Sequence, residues 1–308
     1  TMRRTKALAG IGIVAAALLA LTGCNSGSPS NPGGGGTGGD SGSGDKALFE
    51  VAKDVKLDGS PTFDAMKKRD GVVIGVKEDQ PNLGYLDATT GKRSGFDIEI
   101  ARWIAASLGF KESQITYKPI ASANREQAIV NGDVDYYVGT YSITDSRKEQ
   151  ISFAGPYFVT GQGFLVKKDS DMKEVKDVSD FNGKTVCSAT GSTPIRNIKE
   201  NFPEIKTAEY DIYSQCVEDL LSGKVDAVTT DAAILIGYAA QNPDELKVLP
   251  GLFTEERYGV GIPKGDTALQ EHINTLFTDG HDTWQKIFDA TLGQSGIKVD
   301  QPAVDPVG

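Results

Sequence analysis

Histidine is almost missing from this sequence: His272 and His281 are the only two in 308 residues. Both fall near the carboxyl end, outside an HExxH pattern or a triad context. A metal-dependent or histidine-based hydrolase has little to work with, and neither a metal nor a cofactor is expected. Positive charge is also short. With 32 Lys and Arg against 42 Asp and Glu, the formal net charge is −10. Such a surface repels phosphates and offers no basic stripe to hold them, which excludes a nucleic-acid partner. Beyond the N-terminal segment, no apolar run approaches the roughly 20 residues that a membrane-spanning helix needs.

That segment has its own pattern. Arg3, Arg4 and Lys6 are followed by an apolar run from Ala7 to Ala20, and Leu21-Thr22-Gly23-Cys24 ends it in small residues before a cysteine. The pattern resembles the lipobox of bacterial lipoproteins. The resemblance implies that residues 1–23 are a cleaved signal peptide and that Cys24 carries a lipid (palmitate), holding the chain on the outer face of the cell membrane as in Gram-positive lipoproteins. The alternative is an uncleaved anchor. Removal of the leader takes away three basic and no acidic residues, so the net charge goes from −10 to −13. Residues 24–46 are a Gly/Ser/Pro tract that cannot bury a core and read as a flexible linker. Gly33, Gly35 and Gly38 in it fit a dinucleotide fingerprint by accident, because no strand precedes them.

Three cysteines minus the lipidated one leaves Cys187 and Cys216. An even pair outside the reducing cytosol points to a disulfide, with two buried free thiols as the alternative.

The remaining length suits about two domains of roughly 150 residues each. Ser60-Pro61 is an N-cap followed by proline at the first helical position, opening a helix through about Lys68. Val72 to Val76 reads as a buried strand, Phe96 to Leu108 as a helix stopping at Gly109, and Ile115 to Pro119 as a strand again. Strands alternating with helices imply an α/β fold. AIVNGDVDYYVGT (128–140) and DLLSGKVDAVTTD (219–231) share one plan: an apolar helix end, a Gly, Val-Asp, then a strand with a Thr-bearing tip. Either the echo is chance or the chain has two lobes of like design. The Gly-punctuated runs Phe158–Val166 and Glu256–Ile262 suit two crossings between lobes. The expected boundaries are 47–160 and 257–308 for the first lobe and 161–256 for the second, with a ligand cleft between them.

Ligands in such sheets sit at the carboxyl ends of strands, near helix starts. The polar residues falling there are Lys77, Ser122, Arg125, Thr140, Ser142 and Arg147, then Thr190, Gly191, Ser192 and Thr193, whose turn would offer free backbone N–H groups, and Asp231. Arg147 stands out. Thr144 is a candidate N-cap, which puts this cation in the first turn of a short helix, a poor place unless an anion meets it. Each residue also has a plainer use: Arg125 and Arg147 in surface ion pairs, Asp231 as an N-cap, Lys77 as a solvated strand end.

Gly95-Phe96-Asp97-Ile98-Glu99-Ile100 with Ile104-Ala105 resembles the signature of the family 3 extracellular solute-binding proteins, the amino-acid receptors of ABC importers. So do Ser142-Ile143-Thr144 to Arg147, Ile151-Ser152-Phe153 and Pro156-Tyr157, together with Asn124-Arg125, Gly132, Asp135 and Asp231, over about residues 70–295. The resemblance implies an α/β, two-lobed, periplasmic-binding-protein-like (type II) clamshell with two crossover strands, and a monomer that is not an enzyme.

By that resemblance, Arg147 would clamp a ligand α-carboxylate, helped by Thr190–Thr193, and Asp231 with the Thr140 region would take the α-ammonium. Lys77, Ser122 and Arg125 would choose the side chain. A lysine plus an arginine favours a second carboxylate, hence glutamate and then aspartate, with glutamine or another polar amino acid as the alternative. The partners implied are an ABC permease and its ATPase; a sensory role instead of transport would need a different partner. Aromatic residues that cover the ligand in many relatives are not obvious here, and Tyr141 or Tyr85 would have to substitute.

Overall fold

The computed structural model of the chain describes residues 48–307. The expected leader, Cys24 and the linker up to residue 46 lie outside the described residues. Among the described residues, no helix is long and apolar enough to cross a membrane.

The all-apolar β1 (Val72–Val76) leads into a small antiparallel sheet of β2 (Asp79–Gln80), β3 (Gly84–Leu86) and β4 (Arg93–Ser94). After the helix Phe96–Ser107 come β5 (Ile115–Pro119), the helix Arg125–Val130, β6 (Tyr136–Tyr137) and the short helix Asp145–Lys148. Then follow β7 (Ser152–Thr160), β8 (Gln162–Lys167), β9 (Thr185–Ala189), β10 (Lys206–Tyr210), β11 (Ala227–Asp231), β12 (Leu246–Val248) and β13 (Glu256–Ile262).

Two five-stranded sheets result, one in each lobe, ordered β5-β1-β6-β13-β7 and β10-β9-β11-β8-β12. In the first, β1 runs parallel to both β5 and β6; in the second, β9 runs parallel to β10 and β11. The chain leaves the first sheet at the end of β7 and returns to it in β13. These two strands lie antiparallel side by side, with Thr160 opposite Glu256. The crossings are therefore neighbours.

The sequence echo has a physical basis. Gly132 and Gly223 both follow a helix end with positive φ (72° and 77°), where a side chain would be strained. The following aspartates then make the same two bonds in each lobe. Asp135 donates its N–H to Val73 O at 2.8 Å and accepts the Val73 N–H on its carboxylate at 2.6 Å. Asp226 donates to Thr185 O at 2.8 Å and accepts the Thr185 N–H at 2.7 Å. Each Val-Asp thus fixes the register of its strand against the one beside it.

The strand expected after Val-Asp within 128–140 is only Tyr136–Tyr137, because Asp135 is held by Val73 and the chain turns at Thr140, where φ is +45°. Towards the carboxyl end, His272 and His281 fall on two helices, Thr267–Asp279 and His281–Ala290, separated at Gly280. Cys187 in β9 and Cys216 in the helix Tyr213–Leu221 form a disulfide with Cα atoms 5.4 Å apart, as the even pair suggested.

Candidate functional site

Lys77, Ser122 and Arg125 meet at one point. Lys77, just past β1, is buried and donates from Nζ to Ser122 Oγ at 2.8 Å. Arg125 opens its helix and donates from Nε to the Ser122 carbonyl at 3.1 Å and from Nη1 to Thr140 O at 3.3 Å. Only 2% of Arg125 is exposed, so this is a guanidinium inside the protein. Among the described residues, neither cation has a carboxylate within 4.0 Å. Burial, followed by the Arg125 charge, brings the Lys77 pKa down to about 7. The solvated strand-end reading of Lys77 is therefore excluded.

Arg147 sits where the short helix after Thr144 puts it, and Thr144 is the N-cap, accepting the Arg147 N–H at 3.3 Å. Its side chain is buried and spans the lobes: Nε pairs with Glu126 at 3.0 Å, Nη1 donates to Ser142 O at 2.7 Å, and Nη2 donates to Gly191 O of the second lobe at 3.2 Å. The ion-pair reading is thus partly right. Glu126 uses one of five donors, the two carbonyls use one each, and each terminal nitrogen keeps one N–H. Burial and then the Arg125 charge lower its pKa to about 10.

Tyr141 does not act as a cover. Its ring is fully buried beneath both guanidiniums, 4.2 Å from Arg125 Cζ and 4.8 Å from Arg147 Cζ, and packs on Tyr137 and Phe153. It is a floor for the cations, held by cation–π attraction.

The remaining expected residues are partly committed elsewhere. The Ser142 hydroxyl donates to Glu256, which also receives the Thr193 hydroxyl at 2.8 Å. The Thr190 N–H goes to Tyr210 O at 2.9 Å and the Ser192 N–H to Ala189 O at 3.1 Å. The turn therefore does not present a full row of free N–H groups; Gly191 and Thr193 carry those that remain. Thr140 uses all its polar groups inside the first lobe: its N–H goes to Asp97 at 2.9 Å, its hydroxyl to Gln80 Oε1 at 3.2 Å, and its carbonyl accepts Arg125.

Asp231 precedes the helix Ala232–Gln241, but its side chain makes no capping bond. One oxygen accepts Tyr258 Oη at 2.6 Å and the other has no partner. Burial, then the neighbouring Glu256, pushes its pKa up to about 8. Thr230 Oγ1 and Gln80 Nε2 are likewise buried without a partner.

Sequence reasoning missed Gln80, Glu256 and Tyr258, whose importance rests on contacts with residues remote in the chain. Asp97 belongs to the Gly95–Ile100 motif. It holds Thr140 in place and accepts Tyr157 Oη at 2.7 Å, and burial raises its pKa to about 6.

A cavity of about 440 Å³ opens between the lobes at Ser122, Ala123, Glu126 and Arg147 on one side and Gly191 and Arg196 on the other. Two lobes, a paired-strand hinge and buried unneutralised cations at the seam define a binding protein that closes on a small solute. The chain belongs to the bacterial extracellular solute-binding proteins, family 3, whose model matches residues 72–294. It is a receptor and not an enzyme. It is 39% identical to the glutamate-binding protein GluB of Corynebacterium efficiens over 75% of this chain and 81% of that protein. It is 40% identical to the glutamine-binding protein of Geobacillus stearothermophilus over 67% and 78%. Among solved structures, the cysteine-binding protein of Campylobacter jejuni superposes with a TM-score of 0.71 at 29% identity, over 80% of this chain and 99% of that one.

Proposed function

We propose that the protein captures an acidic amino acid, L-glutamate first and aspartate second, and delivers it to an ABC import permease and its ATPase. In this reading it works as a monomer held at the extracellular face of the membrane through a lipid on Cys24. The observation that carries the ligand choice is the convergence of buried Lys77 and Arg125 on Ser122 with no carboxylate of the described residues within 4.0 Å of either. Two cations kept out of water are costly unless an anion joins them, and a ligand side-chain carboxylate would do so.

The remaining N–H groups of Arg147, with Gly191 and Thr193, take the α-carboxylate, and the free oxygen of Asp231 with Thr230 takes the ammonium. Because Arg147 and Asp231 lie in different lobes, a ligand that satisfies both favours the closed form. Glutamine is the second reading, supported by the similarity to the Geobacillus glutamine-binding protein. Calorimetric titration with glutamate, aspartate, glutamine and arginine tests the proposal: glutamate should bind tightest and arginine not at all. Glutamine binding above glutamate would overturn the choice.

A further inference from the structure

The helix Tyr213–Leu221 in the second lobe begins without a cap of its own. Its N-cap is Ile212, which has no side chain able to accept the first N–H groups. The missing acceptor comes from the other lobe. Asp79, in β2 of the small sheet that follows β1, accepts the Ser214 N–H on Oδ2 at 3.0 Å. Tyr238 Oη, from the helix Ala232–Gln241, donates to the Asp79 main-chain carbonyl at 2.5 Å and lies 3.0 Å from the same carboxylate oxygen. Beside it, the Pro81 carbonyl lies so close to Gly237 that an added Cβ there would stand 2.5 Å from the oxygen. This is a built contact between lobes, with a carboxylate placed at the positive end of a helix.

We propose that Asp79 is a positioning residue for ligand capture: its carboxylate latches the first lobe to the uncapped helix start, beside the bond from Tyr238 to its main-chain carbonyl, and so sets how firmly the receptor closes. The inference rests on the receptor reading above. It also explains why Gln80 is held where it is. Gln80 is the next residue on the same strand, its Oε1 accepts Thr140, and its unpartnered Nε2 faces no protein acceptor. Fastening Asp79 fastens that strand over the site; Asp79 makes no ion pair with the cations proposed to bind ligand, although its charge favours the protonated form of Lys77.

A latch present only in the closed form adds to ligand affinity by slowing dissociation, since the ligand leaves after opening. The test uses Asp79→Ala, Asp79→Asn and Tyr238→Phe in the full chain, with glutamate and glutamine as probes. Loss of a helix cap together with a charge-assisted bond should raise the dissociation rate and Kd of Asp79→Ala about 10-fold or more for both probes. Asp79→Asn keeps an acceptor and should recover most of that loss; Tyr238→Phe should fall between. Small-angle scattering should show Asp79→Ala more open than the parent, with or without amino acid.

A thermal midpoint close to the parent's separates a latch defect from misfolding, and Tyr238→Phe provides a second reading if Asp79→Ala does not fold. Unchanged dissociation rates and unchanged scattering in a folded Asp79→Ala would overturn the proposal, whatever Tyr238→Phe does. A parent chain that binds neither probe would instead refute the receptor reading, and the scattering comparison would still decide the latch.

Discussion

Arg147 of the first lobe donates to the Gly191 carbonyl of the second at 3.2 Å, so one guanidinium both lines the cleft and ties its two sides. Arg147→Ala therefore removes the proposed α-carboxylate clamp and an interlobe bond at once. Affinity for every amino acid the protein binds should fall by about two to three orders of magnitude, as expected when one partner of a buried charged pair is truncated. Arg147→Lys should recover little, because a single ammonium cannot serve Glu126, two carbonyls and a ligand carboxylate together. Isothermal calorimetry checks both; unchanged binding in Arg147→Ala would remove this residue from the site.

Much of this arrangement was legible in the chain. The spacing Thr144 to Arg147 announced a capped helix start with a cation in it, and the Val-Asp echo announced two lobes because the same register bond is made twice. The Gly-rich runs around residues 161 and 259 announced the crossings. Hidden from sequence were contacts between remote residues: Glu256 with Ser142 and Thr193, Tyr258 with Asp231, Asp79 with Ser214 and Tyr238. No local period or spacing encodes hydrogen bonds between residues 27 to 159 positions apart. The choice between Tyr141 and Tyr85 as a cover was open for a related reason. An aromatic residue near a ligand site fits equally well above the ligand or below the cations, and only packing on Phe153 and Tyr137 decides.

Lys77 and Arg125 should separate glutamate from glutamine. Replacing either by Met leaves one cation for the side-chain carboxylate, so glutamate affinity should fall about 10- to 100-fold while glutamine changes little. Competition titrations on each variant read the ratio directly. Equal losses for both ligands would assign the pair to general packing and not to side-chain choice.

The Cys187–Cys216 disulfide joins a central strand of the second sheet to the helix that Asp79 caps, with a sequence separation of 29. Closing such a loop should add about 3 kcal/mol to the folded state. The Cys187→Ala, Cys216→Ala double variant should show a correspondingly lower urea midpoint, with ligand affinity nearly intact under native conditions because neither sulfur reaches the cleft. An unchanged midpoint in the double variant would mean that the bridge does little for stability.

Asp231 and Lys77 should make binding exchange protons in opposite directions. In the ligand-free protein Asp231 titrates near 8 and Lys77 near 7. For folding, the raised Asp231 contributes stability that is full below about pH 4 and lost as pH rises through 8. The lowered Lys77 favours the folded state progressively as pH rises from 7 towards its ordinary range. For binding, a ligand ammonium favours ionised Asp231 and so releases a proton wherever that group was protonated, while a ligand carboxylate favours charged Lys77 and takes one up wherever it was neutral. At about pH 6 both groups start protonated and only release remains; at about pH 9 both start deprotonated and only uptake remains. Glutamate titrations in two buffers of different ionisation enthalpy should thus show net release at the lower pH, net uptake at the higher, and a change of sign between 7 and 8. Lys77→Met should abolish the uptake at high pH, and Asp231→Asn the release at low pH. The same proton count at both pH values in the parent would contradict the placing of ligand charges on these two side chains.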